Sequence, residues 1–220
     1  MCFSPEADLV GGLVIGAIGV DAVRHVRGRR NHLLLAALPL LLGAHQLIES
    51  LVWWGREGHV PSAVGTICMW AYLVIALVVL PIFVPSAVVM LEPSRRRKWL
   101  MAPFVVLGVA VGSVLLAAMV RGPVGVQVRP YHLAYSVHVS HGLLVVILYV
   151  VAVCGALLLS GHRDVVTFGA VNLVAVAVIA ALTVDGFASV WCAWAAVTSG
   201  AIALHLRFAK PHRPMPYVLV

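Results

Sequence analysis

The sequence predicts an all-α integral membrane protein, a single domain of 220 residues folded as a bundle of seven transmembrane helices. Its N-terminus is expected outside and its C-terminus in the cytoplasm. Composition, the spacing of the apolar segments and the placement of the cations carry this reading. Hydrophobic residues make up 62% and charged residues 10%, with a mean hydropathy of +1.05. A soluble domain holds roughly 45–50% and about 25%. A formal charge of +7 is compatible with nucleic-acid binding only if the cations gather on one soluble face. They are divided among short loops instead, which excludes that class.

A helix needs about 20 apolar residues to cross the hydrocarbon core. The segments that meet this length are Ala7–Val23, Leu33–Trp54, Ala63–Leu91, Trp99–Val120, Val137–Leu159, Val165–Val184 and Phe187–Leu206. The first is flanked by Glu6 and Asp8 rather than by a basic stretch, so it reads as a signal anchor with a translocated N-terminus. The second ends at Trp53 and Trp54, in the aromatic belt at the headgroup level. The fourth carries Gly108 and Gly112 at GxxxG spacing, which permits close helix contact. Between the fourth and fifth, "RGPVGVQVRPYHLAYS" is long enough for a small cap over one end of the bundle.

Orientation follows from charge. With the N-terminus outside, Arg24, Arg27, Arg29, Arg30, Arg95, Arg96, Arg97, Lys98, Arg163, Arg207, Lys210 and Arg213 fall on the cytoplasmic side. Only Arg56, Arg121 and Arg129 remain outside, a strong positive-inside bias.

Within the apolar second segment, "GAHQLIESLVWW" holds His45, Gln46 and Glu49 on one helix side, since three- and four-residue steps bring side chains together. A carboxylate facing lipid costs several kcal/mol, at least about 2.5, so this side is expected to face the bundle interior. Glu49 then lies in the outer leaflet. The fifth segment, read as a helix from its outer end, adds His132, Tyr135, His138 and His141 at intervals of three. Asp185 closes the sixth, and Trp191 and Cys192 open the seventh. Glu49, His132 and Tyr135 are the candidate acid–base residues, lined by Gln46, Trp53, Trp191 and Asp185. His45, Glu49, His138 and Cys192 are candidate metal ligands, with Zn²⁺ the expected ion, although their spacing matches no known zinc motif. Cys2 and Cys192 share the outer, oxidising side and form a candidate disulfide. Cys154 reads as a small apolar filler.

The opening "MCFS", the "GAHQLIESLVWW" segment, "HLAY" at 132–135 and "FASVWCAWAA" at 187–196 resemble an uncharacterised family of small bacterial polytopic membrane proteins that begin Met-Cys-Phe-Ser. The resemblance extends over most of the chain. It matches Cys2, Gln46, Glu49, Trp53, His132, Tyr135, Trp191 and Cys192, and does not extend to His45, His138 or His141. It implies a multi-helix bundle in the bacterial inner membrane, and it brings no activity with it.

Three function classes follow. The first is a metal-dependent membrane enzyme or metal-binding protein, in which Zn²⁺ lowers the pKa of a bound water for attack on a lipid-derived substrate. The second is a non-enzymatic subunit or stabiliser of a larger membrane complex or homo-oligomer. The third is a transporter of a small solute or proton, disfavoured by the scarcity of polar groups in the inner halves of the helices. Haem held by histidines of two helices is a fourth, weaker option. Membrane lipids are the expected partners in all of them.

Overall fold

The computed structural model describes residues 4–26, 28, 30–182, 190–191, 194, 196–200 and 203. Helix α1, Pro5–His25, starts where Ser4 accepts the Ala7 N–H at 3.2 Å and Pro5 occupies the first turn. Glu6 and Asp8 lie at its positive end and Arg24 and His25 at its negative end, which suits the helix dipole. A short 3₁₀ turn, Arg30–His32, leads into α2, Leu33–Glu57. Gly58 ends α2 in the left-handed region, φ +83°, a conformation that glycine adopts without a Cβ penalty.

Helix α3, Ser62–Val74, runs through a π-helical turn, Ile75–Val79, into α4, Leu80–Leu91. The Leu80 N–H returns to the Ile75 carbonyl, five residues back, just before Pro81, which has no N–H to give. Helix α5, Arg95–Arg121, begins at Ser94 and precedes a β-hairpin. Strands β1, Val124–Arg129, and β2, His132–Val137, pair antiparallel with Val126 opposite Tyr135 and Arg129 opposite His132. Helices α6, Gly142–Leu158, and α7, Arg163–Leu182, follow.

One expectation changes here. The chain is mostly helical, as expected, with one two-stranded hairpin, and the predicted span Val137–Leu159 begins late. Residues 124–137 alternate, with Val124, Val126 and Val128 facing Leu133, Tyr135 and Val137 across the hairpin. That period of two excludes a helix, so α6 starts only at Gly142, after His141 at φ +58°. The expected cap is this hairpin.

Among the described residues, four helices are long and apolar enough to cross a membrane: Arg30–Glu57, Ser62–Leu91, Arg95–Arg121 and Arg163–Ala181. Gly142–Leu158 is a shorter apolar helix. The predicted seventh span, Phe187–Leu206, lies mostly outside the described residues. Leu143, Ile147, Val106, Val120 and Val174 are each at least 48% exposed, an apolar belt that lipid rather than water suits.

Glycine sets the close contact of α1 with α2. A Cβ on Gly12 would meet the Leu47 side chain at 2.8 Å, one on Gly43 the Gly16 backbone, and one on Gly19 the backbone of Leu40. These pairs run in opposite directions along α1 and α2, so the two helices are antiparallel. Gly108 of the predicted GxxxG pair likewise sits against the Pro81 backbone, and Gly112 against Val78. Close backbone approach adds dispersion contacts, which drive helix association where lipid removes the hydrophobic term.

Two cores result. One, built from Leu42, Val84, Val88, Met101 and Leu157, lies toward the end of the bundle far from the hairpin. The other joins Val52, Trp53, Tyr72, Leu73 and Met119 to Val126 and Leu133 of the hairpin.

Candidate functional site

The hairpin end holds the buried polar residues that sequence singles out. His45, Gln46, Glu49, Ser50 and Trp53 all point into the bundle from one face of α2, each at 3% exposure or less. Glu49 is fully buried, eight residues before the end of α2, or about 12 Å at 1.5 Å per residue. It is therefore nearer the hairpin end than the far end.

His45 is the best-defined member. Its Nε2 lies 3.1 Å from the Tyr72 carbonyl. A carbonyl only accepts, so Nε2 carries the proton and the ring is fixed with Nδ1 as its other face. The imidazole also stacks on Tyr72, with centroids 3.9 Å apart and planes at 21°. Tyr72 stacks in turn on Tyr135, at 4.5 Å and 13°. Three rings from α2, α3 and β2 thus form one column that ties the hairpin to the bundle.

Several buried polar atoms in and around this column have no hydrogen-bond partner among the described residues: Nδ1 of His45, Nε2 of Gln46, Nε1 of Trp53 and Nε2 of His132. Each such group costs about 1–3 kcal/mol when left unmatched in a low-dielectric interior. Gln46 and Trp53 stand three residues before and four after Glu49, so two donors bracket the carboxylate on one helix face.

Two members escape sequence reasoning. Tyr72, the middle ring, is fully buried and lies ten residues into α3, a depth comparable to that of His45 in α2. Asp8 is also fully buried. It lies one turn before Gly12 on the buried side of α1, and the antiparallel register that sets Gly12 against Leu47 carries it level with the turn from Glu49 to Trp53. A polar residue inside an apolar helix, a turn away from a close-packing glycine, was the available signal.

The other expected residues divide. His132 and Tyr135 sit three apart on a strand and project from its opposite faces, rather than sharing a helix face. His138, beside Gly122, and His141 are exposed in the loop after β2 and not on a helix with them. Trp191 is buried against Ala76 and Val176, beside the π turn, where Tyr149 donates its hydroxyl to the Ala76 carbonyl at 2.7 Å. Cys154 is buried in the far core as a packing residue. Cys2, Asp185 and Cys192, and with them the disulfide and one metal ligand, lie outside the described residues. Among the described residues no three of His, Cys, Asp and Glu converge to hold a metal ion.

No curated protein and no solved structure matches the chain. The model of a family of unknown function (DUF6629) matches residues 1–216, and the chain belongs to that family.

Proposed function

We propose that the protein is a multi-pass protein of the bacterial inner membrane, with seven spans and its N-terminus outside. Its working centre is the His45–Glu49 pair beneath the hairpin, in the outer half of the bilayer, where it binds a small polar ligand and exchanges a proton with it. The observation that supports this most is the hydrogen bond from His45 Nε2 to the Tyr72 carbonyl. With that proton committed, a neutral imidazole presents the lone pair of Nδ1 as a base, one turn from Glu49. Gln46 and Trp53 supply donors for a ligand's acceptor atoms, and Asp8 adds a second buried acid at the same level.

The same hydrogen bond favours a second reading. A metal-bound histidine characteristically gives its other ring N–H to a carbonyl or carboxylate. On this reading Nδ1 of His45 and Glu49 are two ligands of Zn²⁺, and Cys192 is the candidate for a third. The metal would supply an acidified water.

Native mass spectrometry and elemental analysis of protein extracted in mild detergent test both. The wild-type protein is expected to carry an added mass, organic or zinc, that monodisperse Glu49→Gln loses. A wild-type protein of bare-chain mass, or a cargo indifferent to Glu49→Gln, contradicts the proposal. The topology has its own test: a reporter fused after Val220 is expected to be active only if it works in the cytoplasm, and periplasmic activity overturns the orientation.

A further inference from the structure

The ends of α2 and α3 meet through two glycines, with a Cβ on Gly55 falling 2.5 Å from the Cα of Gly65. Between these helix ends and β1 the chain leaves an open cleft of about 480 Å³. Its lining includes Arg56 from α2, Ser62, Thr66 and Met69 from α3, and Gln127 and Ser136 from the hairpin. Among the described residues that line the cleft, Arg56 is the one charged side chain and none is acidic. The Thr66 hydroxyl is spent on the Ser62 carbonyl at 2.9 Å. Ser62, Ser136 and Gln127 add further polar side chains to the cleft.

The residues of α3 that line the cleft recur at helical spacing, and the next position on that face after Met69 is Tyr72. Met69, only 8% exposed, is therefore the floor of the cleft, and one turn below it lies the middle ring of the His45–Tyr72–Tyr135 column.

We propose that this cleft is the entrance to the buried site and that it holds the anionic end of the ligand, a phosphate or carboxylate, at Arg56. The uncharged remainder passes Met69 toward Tyr72 and His45. Two buried acids below, Asp8 and Glu49, offer no cation to pair with an anion, so the anionic end stays at Arg56. The role as entrance rests on the reading of His45 and Glu49 as the working centre. The openness of the cleft and its preference for anions do not.

The test places a cysteine at the floor, Met69→Cys, in protein whose Cys2, Cys68, Cys154 and Cys192 are replaced by serine or alanine. Reaction rates with an anionic sulfonatoethyl and a cationic trimethylammonioethyl methanethiosulfonate are compared in detergent. The floor thiol is expected to react, and Arg56→Gln is expected to lower the anionic-to-cationic rate ratio by about three- to tenfold, the effect of one partly screened charge nearby. Ser62→Cys, at the mouth, provides the same ratio should Met69→Cys fail to fold. Slowing by millimolar inorganic phosphate assigns a soluble anion. Slowing only in nanodiscs of phosphatidylglycerol, compared with phosphatidylcholine, assigns a lipid headgroup. A folded Met69→Cys that neither reagent reaches overturns the entrance, and a ratio indifferent to Arg56→Gln overturns the anion preference. If instead Glu49→Gln leaves the bound mass unchanged while the ratio responds to Arg56, the working centre is wrong and the cleft stands.

Discussion

At the far end of the bundle Glu92 is buried at 3% exposure and accepts the Gly161 N–H at 2.8 Å, joining the α4–α5 turn to the α6–α7 turn. Nearby, Ser86 donates to the Ile82 carbonyl one turn back, and Asn172 in the middle of α7 does the same to Phe168. At the hairpin end, by contrast, His45 reaches across to another helix, and Gln46 and Trp53 bury donors that no described residue accepts. Both ends bury polar atoms. At the far end Glu92, Ser86 and Asn172 each find a backbone partner, as groups serving the fold must. The hairpin end leaves several unmatched beside a buried carboxylate, and folding alone gives no reason to keep them.

The comparison sharpens first where the ends share a role. Tyr72→Ala removes the middle of the ring column and is expected to lower the unfolding free energy by about 3–5 kcal/mol, as for other buried aromatics. Reversible unfolding in mixed micelles measures it. Protease cleavage between β1 and β2 is expected to rise in the same variant, because the hairpin loses its anchor. Met101→Ala, in the far core and equally buried, is expected to lower stability by about 3 kcal/mol. It is expected to leave hairpin cleavage at the wild-type rate, and a rise there would mean that the two cores are not separable.

Polar substitutions then set the ends against each other. Glu92→Ala leaves the Gly161 N–H without its charged acceptor and is expected to cost about 1.5–3 kcal/mol in the same unfolding measurement. A gain in stability would place Glu92 with the hairpin-end group.

The two ends also differed in how readably they were written. Five of the seven apolar segments coincide closely with helices or with the α3–α4 run, because length and hydropathy fix a helix in lipid with little help from tertiary contacts. Glu49, His45 and Gln46 were legible for the same reason: an apolar stretch makes each polar exception conspicuous. The strands of the hairpin are hidden because Val137 and the residues after it extend the apolar run, which masks the alternation of Val124, Val126 and Val128. Tyr72 is inconspicuous because a tyrosine in a span is ordinary, and its stacking between His45 and Tyr135 depends on the fold of three separate elements. Asp8 reads in sequence as a charge flank of the first helix. Its burial follows from the Gly12, Gly16 and Gly19 face drawing α1 onto α2.

The central claim is that the hairpin end carries polar groups at the expense of stability, and Gln46→Leu tests it most directly. The substitution removes a buried amide with an unmatched donor and puts a side chain of similar volume in its place. Measured by reversible unfolding in mixed micelles, the variant is expected to be more stable than the wild-type protein by about 1 kcal/mol, the relief of one unmatched donor. A loss of about 1 kcal/mol or more, the behaviour expected at Glu92, would contradict the account and make Gln46 another residue that serves the fold.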